Sequence, residues 1–554
     1  MHTIKLTPTF SSIAIGTLFC LFSCGGGGSS PSPNFVTPST PTETPSAQLP
    51  QPDISAILAK DPGSTLPANW QKGVFMEIYV RGYQDSNGDG IGDLRGLIER
   101  LDYLQNLGIK GIWLMPVTQS EDKDHGYAVK DYRAIEANYG TLEDFDNLIK
   151  EAHARGIGII IDYVMNHSAT THPLFINSAD TSTNAYRDWY VWNERMPSGW
   201  NIFGNNPWYS TKNGAYFAAF YSGMPDFNLR NPATLEYHQN NLRFWLNRGV
   251  DGFRFDAVGN LVENGAGAWE SQPESIAIMG QVHQNLANYS KRYLVCEAPA
   301  NPAAFTVSSA CGSAFAFNHN HDIVNAAKGQ ASAIDAVARY FVTANPDLAT
   351  MISNHDEFAG ERLWNAVNGD LAQYRIAAAT LLLQPGTPFI YYGEEVGMAA
   401  SNTLTGDAKL RTPMSWTNDT NHAGFTTTKP FRSLSANVEQ QNLALELNDV
   451  NSIYSFYKSM IALRNARPSL QMGDYQQAEV IGSTLVFRRR SGSETSLILI
   501  NYGSTAASIA LKDLGPNSAA AALYPSKAAA LSIDSNGRSA LTIEAQSIRV
   551  FDLK

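Results

Sequence analysis

Acidic side chains end three separate apolar runs of the sequence. Asp256 ends the run GFRFD, Glu297 follows YLVC, and Asp356 ends ISNHD. Cleavage of a glycosidic bond needs one carboxyl group that stays protonated to assist the leaving oxygen, and one ionised carboxylate that attacks carbon or activates water. If the three runs are strands of one sheet, these acids can supply both groups.

Basic side chains accompany the acids. Arg254 lies two residues before Asp256, so the alternation of a strand points both side chains to the same side. We expect the guanidinium to lower the pKa of Asp256, and burial behind YLVC to raise the pKa of Glu297. His167 and His355 lie in the same kind of position. A single acid at a strand end more often caps a helix or pairs with an arginine, but their joint occurrence favours a catalytic site.

Short apolar runs alternate with longer amphipathic stretches from about residue 70 onward, which is typical of repeated βα units and a parallel sheet. Eight runs predict a closed (β/α)8 barrel, the TIM barrel, whose active sites lie at the carboxyl ends of the strands. The runs are 74–80, 109–116, 157–164, 250–258, 293–299, 314–319, 350–356 and 388–395.

The chain of 554 residues is too long for one hydrophobic core. We assign the barrel to 67–167 and 224–470, an inserted small subdomain after the third strand to 168–223, and a C-terminal antiparallel β-sandwich to 471–554. Aromatic residues of the insertion suit either its own core or stacking on sugars. The core interpretation is favoured for all seven, which are Tyr186, Trp189, Tyr190, Trp192, Trp200, Trp208 and Tyr209.

The first 24 residues indicate export. An apolar stretch, too short to span a membrane, leads into LFSC, which resembles the lipidation motif of bacterial lipoproteins with Cys24 as the lipidated residue. Residues 25–66 are rich in Gly, Ser, Pro and Thr, as in a tether. We expect a monomer held by a lipid anchor in the bacterial cell envelope, on the periplasmic or surface face of the outer membrane, or released from it. A plain secretory signal cut near Gly25 is the alternative.

The net charge and the number of cysteines limit which binding partners and which cysteine redox states are expected. The net charge of −11 argues against a nucleic-acid partner, because phosphate binding depends on clustered lysine and arginine. Beyond the export signal the chain has two cysteines, Cys296 and Cys311. They could pair in an oxidising compartment, but two cysteines without a framework also suit buried thiols. The sequence leaves this open and favours the unpaired state.

Four motifs, in this order and spacing, resemble the signature regions of the α-amylase family of glycoside hydrolases. They are DYVMNH, GFRFDAV, VCEAP and ISNHD, and the match extends to HGYAVKDYRAIEANYGTLEDF, MPDFN, RTPMSW and GTPFIYYGEEVGM. The resemblance implies a retaining double displacement with Asp256 as nucleophile, Glu297 as general acid/base and Asp356 as binder of the sugar at the cleaved bond. It also implies sugar contacts for Tyr127, His167, Arg254 and His355, a weaker one for His125, and a structural role for Asp162.

Residues next to the expected nucleophile and in the motif MPDFN indicate which substrate to expect. Ala257 resembles the α-1,4-acting members, and MPDFN resembles a group between oligo-1,6-glucosidases and neopullulanases that includes lipoprotein α-amylases. Gly259 and Asn260 depart from the Lys-His that α-amylases often carry there. We expect an endo-hydrolase of α-1,4 bonds in starch-like glucans and maltooligosaccharides. The alternatives are an α-glucosidase, oligo-1,6-glucosidase or cyclomaltodextrinase acting on short or cyclic oligosaccharides, a transglycosylase, and a non-catalytic glucan-binding protein.

The segment DSNGDGIGD at 85–93 carries oxygen ligands at alternate positions, with a glycine at the sixth. An EF-hand would place glutamate at position 96, which is Gly96, so the loop instead resembles the single-loop calcium site of the family. The alternative is a solvated acidic turn. The expected ligands of this structural calcium are Asp85, Asn87, Asp89, the carbonyl of Ile91, and Asp93.

Overall fold

The structure, a computed structural model, describes residues 48–553 of the chain. The predicted signal peptide 1–24, the lipidation site Cys24 and roughly the first half of the predicted linker lie outside these residues. Within 48–553, no helix is both long enough and apolar enough to cross a membrane.

The strands of the barrel run parallel, and the first strand pairs with both the second and the eighth. The predicted sixth strand forms two bridges, Cys296–Ala314 and Phe315–Ala349, which join the fifth strand to the seventh. The TIM barrel is confirmed, with its sixth strand reduced to these bridges. The other strands, from first to eighth, are Phe75–Ile78, Gly111–Leu114, Gly158–Tyr163, Gly252–Phe255, Tyr293–Cys296, Ala349–Thr350 and Thr387–Tyr391.

Aromatic side chains fill the interior of the barrel. Phe75 stacks on Phe389 with 4.7 Å between ring centroids, and Trp113 packs against Phe315 at 5.3 Å. A side chain at Gly111 would collide with the ring of Phe75, so glycine is needed at this close approach. Such dense packing leaves the strands little freedom, and the polar residues that follow them are therefore held at fixed positions.

Helices cover the outside of the barrel and pack against the strands in the main core. The helix after the second strand starts with a capping box, in which Thr141 and Asp144 each accept a hydrogen bond from the other's backbone N–H. The α-helices are Leu94–Glu99, Leu101–Leu107, Leu142–Ala154, Pro173–Asp180, Pro232–Asn247, Pro273–Leu286, Pro302–Phe305, His319–Ala327, Ala331–Thr343, Leu363–Ala366, Leu371–Leu383, Leu443–Glu446, Ile453–Ala466 and Pro468–Met472.

The insertion after the third strand contains a short helix and a three-stranded antiparallel sheet. Its strands are Trp192–Asn193, Trp208–Thr211 and Gly214–Phe217. Of the seven aromatic residues noted in the sequence, Trp189, Tyr190 and Trp208 are buried and the other four are half-buried. Trp200 and Trp208 pack in a small core of the insertion, whereas the other five pack in the main core. The interpretation as core residues is therefore confirmed, but most of them do not belong to a core of the insertion's own.

The C-terminal region forms a six-stranded antiparallel sheet and a two-stranded one, which share a single hydrophobic core. This confirms the predicted antiparallel β-domain. In sheet order the larger sheet contains Asp474–Ile481, Thr484–Ser491, Glu494–Asn501, Ser547–Leu553, Ala519–Tyr524 and Leu531–Ser532, and the smaller contains Ala507–Leu511 and Ser539–Ile543.

The last part of the predicted linker is bound to the barrel. Residues 48–66 contain no helix or strand. The backbone N–H groups of Ile57 and Lys60 donate to the side chains of Asn240 and Asn247 at 2.7 and 2.8 Å, and Leu66 is buried. This segment therefore follows the barrel surface along the helix Pro232–Asn247.

Cys296 and Cys311 form a disulfide, so the sequence-based preference for unpaired thiols is wrong. Cys296 ends the fifth strand, and Cys311 lies in the loop that returns to the same sheet edge. There the N–H of Cys296 donates to the carbonyl of Ser313 at 3.0 Å. The pairing depends on this return of the chain, which the spacing of two cysteines does not reveal.

A buried arginine of the helix Ile453–Ala466 holds this helix against the barrel. The guanidinium of Arg464 is fully buried and donates to the carbonyls of Leu382, Gln384 and Gly386 at 2.8, 3.1 and 2.6 Å. These carbonyls lie at the end of the helix Leu371–Leu383, where helix carbonyls lack partners and a positive charge is favourable. Burial lowers the pKa of Arg464 to about 9, because no carboxylate offsets the loss of water.

We expect Arg464→Met to lower the Tm by several degrees, because each buried carbonyl left without a donor costs about 1–3 kcal/mol. Differential scanning calorimetry would measure the change. Arg339→Met removes an arginine whose side chain is 76 % exposed and serves as the matched control. Equal Tm values for the two variants would contradict this account of the junction.

Candidate active site

The carboxyl ends of the strands bring the three predicted acids into one cavity of about 500 Å³. Asp256 directly follows the fourth strand, Glu297 directly follows the fifth, and Asp356 lies in the loop after the seventh. Tyr127 and His167 also line this cavity. The predicted sugar-binding residues Arg254 and His355 are buried behind the acids.

The guanidinium of Arg254 joins the acids to one another. It donates from Nη1 to Asp256 at 2.8 Å and from Nη2 to Glu297 at 2.7 Å. Nη1 also contacts both oxygens of Asp162, at 2.8 and 2.9 Å, and the guanidinium lies over the Trp113 ring at 5.0 Å. One buried cation thus fixes three carboxylates from neighbouring strands.

Backbone strain occurs beside the acid that follows the fourth strand. Ala257 has φ 47°, a left-handed conformation that non-glycine residues rarely adopt. This turn lets the N–H of Ala257 donate to Glu297 Oε2 at 3.1 Å and starts the short helix Val258–Asn260. The chain therefore leaves the fourth strand along the side of the cavity that holds Glu297.

His355 contacts the other charged side chains around Asp356, on the side of the cavity away from Glu297. Its Nδ1 lies 2.5 Å from Glu77, and its Nε2 lies 2.7 Å from the hydroxyl of Tyr127 and 3.0 Å from Asp356. Burial opposes its positive charge, but Asp356 and Glu77 outweigh burial and raise the pKa of His355 to about 10. The imidazolium therefore donates from both nitrogens at neutral pH.

Two charged residues on this side of the cavity were not predicted from the sequence. Glu77 lies within the first strand, where an acid inside the apolar run FMEI is the signal that could have revealed it. Arg411 donates to Asp356 at 2.9 Å and to the carbonyl of His355 at 2.9 Å. It begins the motif RTPMSW, whose letters alone do not show that it reaches the cavity.

The aromatic lining of the cavity was also missed. Phe203, Phe220, Tyr221 and Phe358 line it, and none of them is among the seven aromatic residues selected from the insertion. Phe203 stacks on Phe220 at 5.9 Å, and Phe220 lies 5.2 Å from the ring of His167. Nothing in the sequence distinguishes these residues from core aromatics.

The sequence profile of the alpha amylase catalytic domain matches residues 77–473. The chain belongs to the α-amylase family. It is 34 % identical over 444 residues to alpha-amylase 3 of Dictyoglomus thermophilum, covering 78 % of this chain and 85 % of that protein. It is 29 % identical over 512 residues to an oligo-1,6-glucosidase of Halalkalibacterium halodurans, covering 78 % and 90 %. The trehalulose synthase MutB of Pseudomonas mesoacidophila MX-45 has a similar structure, with a TM-score of 0.75, 28 % identity and coverage of 88 % and 99 %.

The acids of this glycoside hydrolase differ in pKa. Burial raises the pKa of Glu297 to about 7 and that of Asp256 to about 6, although Arg254 lowers both. The increase for Glu297 agrees with the sequence-based expectation. The expected decrease for Asp256 is wrong, because burial and the charge of Asp162 outweigh Arg254. At Asp356 burial is outweighed by His355 and Arg411, which hold the pKa of this carboxyl well below its usual range.

His167 presents a free nitrogen at the cavity. Its Nε2 is buried and has no hydrogen-bond partner among residues 48–553. Burial lowers the pKa of His167 to about 3, so the ring is neutral at the pH of catalysis. A neutral imidazole with one unpartnered nitrogen suits a sugar hydroxyl, which can both donate and accept.

The predicted calcium loop folds around its own acidic side chains. Asp85 accepts from the N–H groups of Gly88 and Gly90 at 2.8 Å, and Asp93 caps the following helix. No cluster of three or more His, Cys, Asp or Glu side chains that could hold a metal occurs in the described part of the chain. The oxygen donors suit calcium chemically, but a cation there would also need Asn87 and the Ile91 carbonyl as ligands.

We expect a narrow, bell-shaped dependence of kcat/KM on pH. Asp256 must be ionised, so activity falls as pH drops through about 6, and Glu297 must be protonated, so activity falls as pH rises through about 7. Initial rates would be measured between roughly pH 4 and pH 10 to check this expectation. The points would be spaced closely enough to give each apparent pKa to roughly one-tenth of a unit. A plateau extending above about pH 9 would show that Glu297 is not the acid of the rate-limiting step.

Proposed function

We propose that this glycoside hydrolase is a retaining endo-hydrolase of α-1,4-glucosidic bonds in starch-like glucans and maltooligosaccharides. The observation that carries the proposal is the pair of carboxylates, Asp256 and Glu297, bound to adjacent nitrogens of Arg254. Burial raises the pKa of both carboxyls, so one of the pair can hold a proton near neutral pH while the other is ionised, as a nucleophile beside a proton donor requires.

The shared contact of this pair with Arg254 supports retention of configuration. Inverting enzymes hold their carboxyl groups roughly 6.5–9.5 Å apart to admit a water molecule, and retaining enzymes hold them roughly 5–5.5 Å apart. Two carboxylates that share one guanidinium through its two terminal nitrogens suit the shorter separation.

In the proposed reaction Asp256 attacks the anomeric carbon while Glu297 gives its proton to the leaving oxygen. The glycosyl–Asp256 ester is then hydrolysed by water, whose proton returns to Glu297. Arg254 orients both acids, and Asp162 neutralises part of the positive charge of Arg254. His167 and the ionised Asp356 offer hydrogen bonds to hydroxyls of the bound sugar, and the buried imidazolium of His355 holds Asp356 in place behind them.

The choice of α-1,4 bonds is supported by Ala257, which resembles the α-1,4-acting members, and by the similarity to alpha-amylase 3. A second candidate is an enzyme that removes single units from short oligosaccharides. Arg411 lines the cavity and contacts both Asp356, at 2.9 Å, and Asp124, at 3.4 Å, and a cavity wall held in this way on the side of Asp356 suits a substrate that extends no further there. The similarity to oligo-1,6-glucosidases agrees with it.

We also propose that the loop 85–93 binds a structural calcium ion through Asp85, Asn87, Asp89, the Ile91 carbonyl and Asp93. Bound calcium would hold the carboxylates of the loop together and take no part in proton transfer. The hydroxyl of Thr426 donates to Asp85 at 2.6 Å, so an ordered loop would also hold the segment around Thr426.

The cellular setting is proposed from the sequence. LFSC with the tether that follows supports export and anchoring by lipid at Cys24 in the bacterial cell envelope. We propose that the enzyme acts there as a monomer. An enzyme placed there meets extracellular glucans or the fragments that cross the envelope. No nucleic-acid partner is proposed.

Incubation with amylose tests the proposed activity. We expect rapid loss of iodine colour with mixed maltooligosaccharides, because an endo-hydrolase cuts within the chain. Asp256→Asn should abolish product formation while the Tm stays within a few degrees, since only the nucleophile is removed. Release of glucose while the colour persists would support the second candidate. Full activity of Asp256→Asn would overturn the assignment of the nucleophile.

Chelation tests the calcium site. We expect an excess of EGTA to lower the Tm, because a ligand that binds the folded state stabilises it by about 2.7 kcal/mol at a hundredfold excess over its Kd. Asp89→Ala should show a lower Tm before chelation and little further change after it. An identical Tm with and without EGTA would contradict a structural calcium ion in this loop.

A further inference from the structure

The fifth strand, which carries the proton donor, is well paired on one side only. Tyr293–Cys296 pairs along its whole length with the fourth strand. On the other side, one bridge, Cys296–Ala314, joins it to the reduced sixth strand, where the N–H of Cys296 donates to the carbonyl of Ser313 at 3.0 Å. Glu297 is the next residue, so it follows a strand that has little sheet support on this side.

The Cys296–Cys311 disulfide lies on this weak side, behind the wall of the cavity. Successive side chains of a strand point to opposite faces. Val295 packs inside the barrel, Cys296 packs in the main core, and Glu297 lines the cavity. Both cysteines are buried, and neither is among the described residues that line the cavity. The disulfide can therefore affect the reaction through the backbone of Glu297 and not through contact with a substrate.

The disulfide closes the loop 297–310, which starts at the proton donor and continues through Pro299 in the cavity wall. In the described part of the chain, main-chain hydrogen bonds of residues 298–310 stay inside the loop and its closing turn. The side chain of Phe305 is buried in the main core. The disulfide fixes the end of this loop to the strand from which the loop starts.

The hydrogen bonds of Glu297 come from the side of the fourth strand. Its Oε2 accepts from Arg254 at 2.7 Å and from the N–H of Ala257 at 3.1 Å, and its own N–H donates to the carbonyl of Phe255 at 2.9 Å. On the side of the sixth strand, the backbone is held by the bridge and the disulfide at Cys296. A general acid must lie within hydrogen-bond distance of the leaving oxygen, and a shift of about 1 Å can cost roughly 100-fold in rate.

We propose that the Cys296–Cys311 disulfide positions Glu297 for proton transfer to the leaving oxygen, which makes both cysteines positioning residues of the reaction. Without this bond the end of the fifth strand and the loop behind it can separate, and the carboxyl of Glu297 loses its fixed place. Asp256 follows the fourth strand and keeps its own support. The inference rests on the proposed function, because it assumes that Glu297 is the general acid.

The test separates proton donation from the rest of catalysis by changing only the leaving group. The substrates are phenyl α-maltotrioside, whose leaving group needs a proton, and 2,4-dinitrophenyl α-maltotrioside, whose leaving group departs without one. We expect Cys311→Ala to lower the ratio of kcat/KM for the phenyl substrate to kcat/KM for the dinitrophenyl substrate by about 10-fold, because the acid is displaced and not removed. Both rates scale with the fraction of folded enzyme, so the ratio stays informative for a partly unfolded variant.

The pH dependence gives a second measurement. Burial raises the pKa of Glu297 to about 7, and a loosened loop admits water, which moves this pKa back toward its ordinary value. In Cys311→Ala we therefore expect the loss of activity on the phenyl substrate at high pH to begin at a lower pH than in the wild type. A bond that only stabilised the fold would lower the Tm and change neither the ratio nor this pH.

Two control variants distinguish positioning from general loss of stability. The double variant Cys296→Ala, Cys311→Ala should show the same ratio as Cys311→Ala, because both lack the same bond. Arg464→Met removes a buried arginine of the helix Ile453–Ala466, far along the chain from Glu297, and should leave the ratio unchanged. An equal fall of the ratio in Arg464→Met would overturn the proposed role of the disulfide.

Glu297→Gln separates this inference from the proposed function. If Glu297→Gln lowers the ratio strongly while Cys311→Ala keeps the ratio and the pH dependence of the wild type, the role of the disulfide is overturned and the proposed function stands. A wild-type ratio in Glu297→Gln would overturn both, since this residue would not be the acid.

The bond specificity is tested separately from the disulfide. If the wild type cleaves the corresponding aryl α-glucosides and not the maltotriosides, the endo proposal fails. The same ratio is then measured with the glucosides, and a fall of about 10-fold in Cys311→Ala would still support the positioning role. Cleavage of neither pair of substrates would overturn both proposals.

Discussion

Arg254 is a fully buried cation that contacts three acids, and the arrangement of the active site depends on it. Removing a charge from water costs several kcal/mol, which is offset only when its partners are close and its hydrogen bonds are made. Asp162, Asp256 and Glu297 meet this condition from three neighbouring strands. Because the cation ties them together, the position of each acid depends on the register of the strands that carry the others.

The barrel provides that register. Arg254 pairs with Val295 across one strand boundary and with Asp162 across the other, so the three strands bring their polar residues to the same level. The aromatic filling below this level keeps the strands in place. The second charged group, around His355, reaches the first strand through Glu77 and thereby connects the far side of the closed sheet to the same cavity.

Loops outside the barrel strands form the cavity wall around the acids. The insertion contributes Phe203 and Phe220, the loop after the fourth strand contributes Glu270, and the segment after the eighth strand contributes Arg411. These residues differ in origin from the carboxylates, which directly follow barrel strands or lie one loop beyond them. Membership of the α-amylase family therefore accounts for the acids, whereas the rest of the cavity lining comes from segments outside the barrel strands.

The sequence by itself predicted the barrel, the insertion, the C-terminal β-domain and the positions of Asp256, Glu297 and Asp356, because hydrophobic periodicity is local and polar residues at strand ends follow it. It did not predict the reduced sixth strand, the Cys296–Cys311 disulfide, the raised pKa of Asp256, or the parts played by Glu77 and Phe203. Each of these depends on contacts between residues that are distant along the chain. The burial of an atom and the electrostatic potential that it experiences depend on all of its neighbours in space. Only the tertiary structure specifies those neighbours.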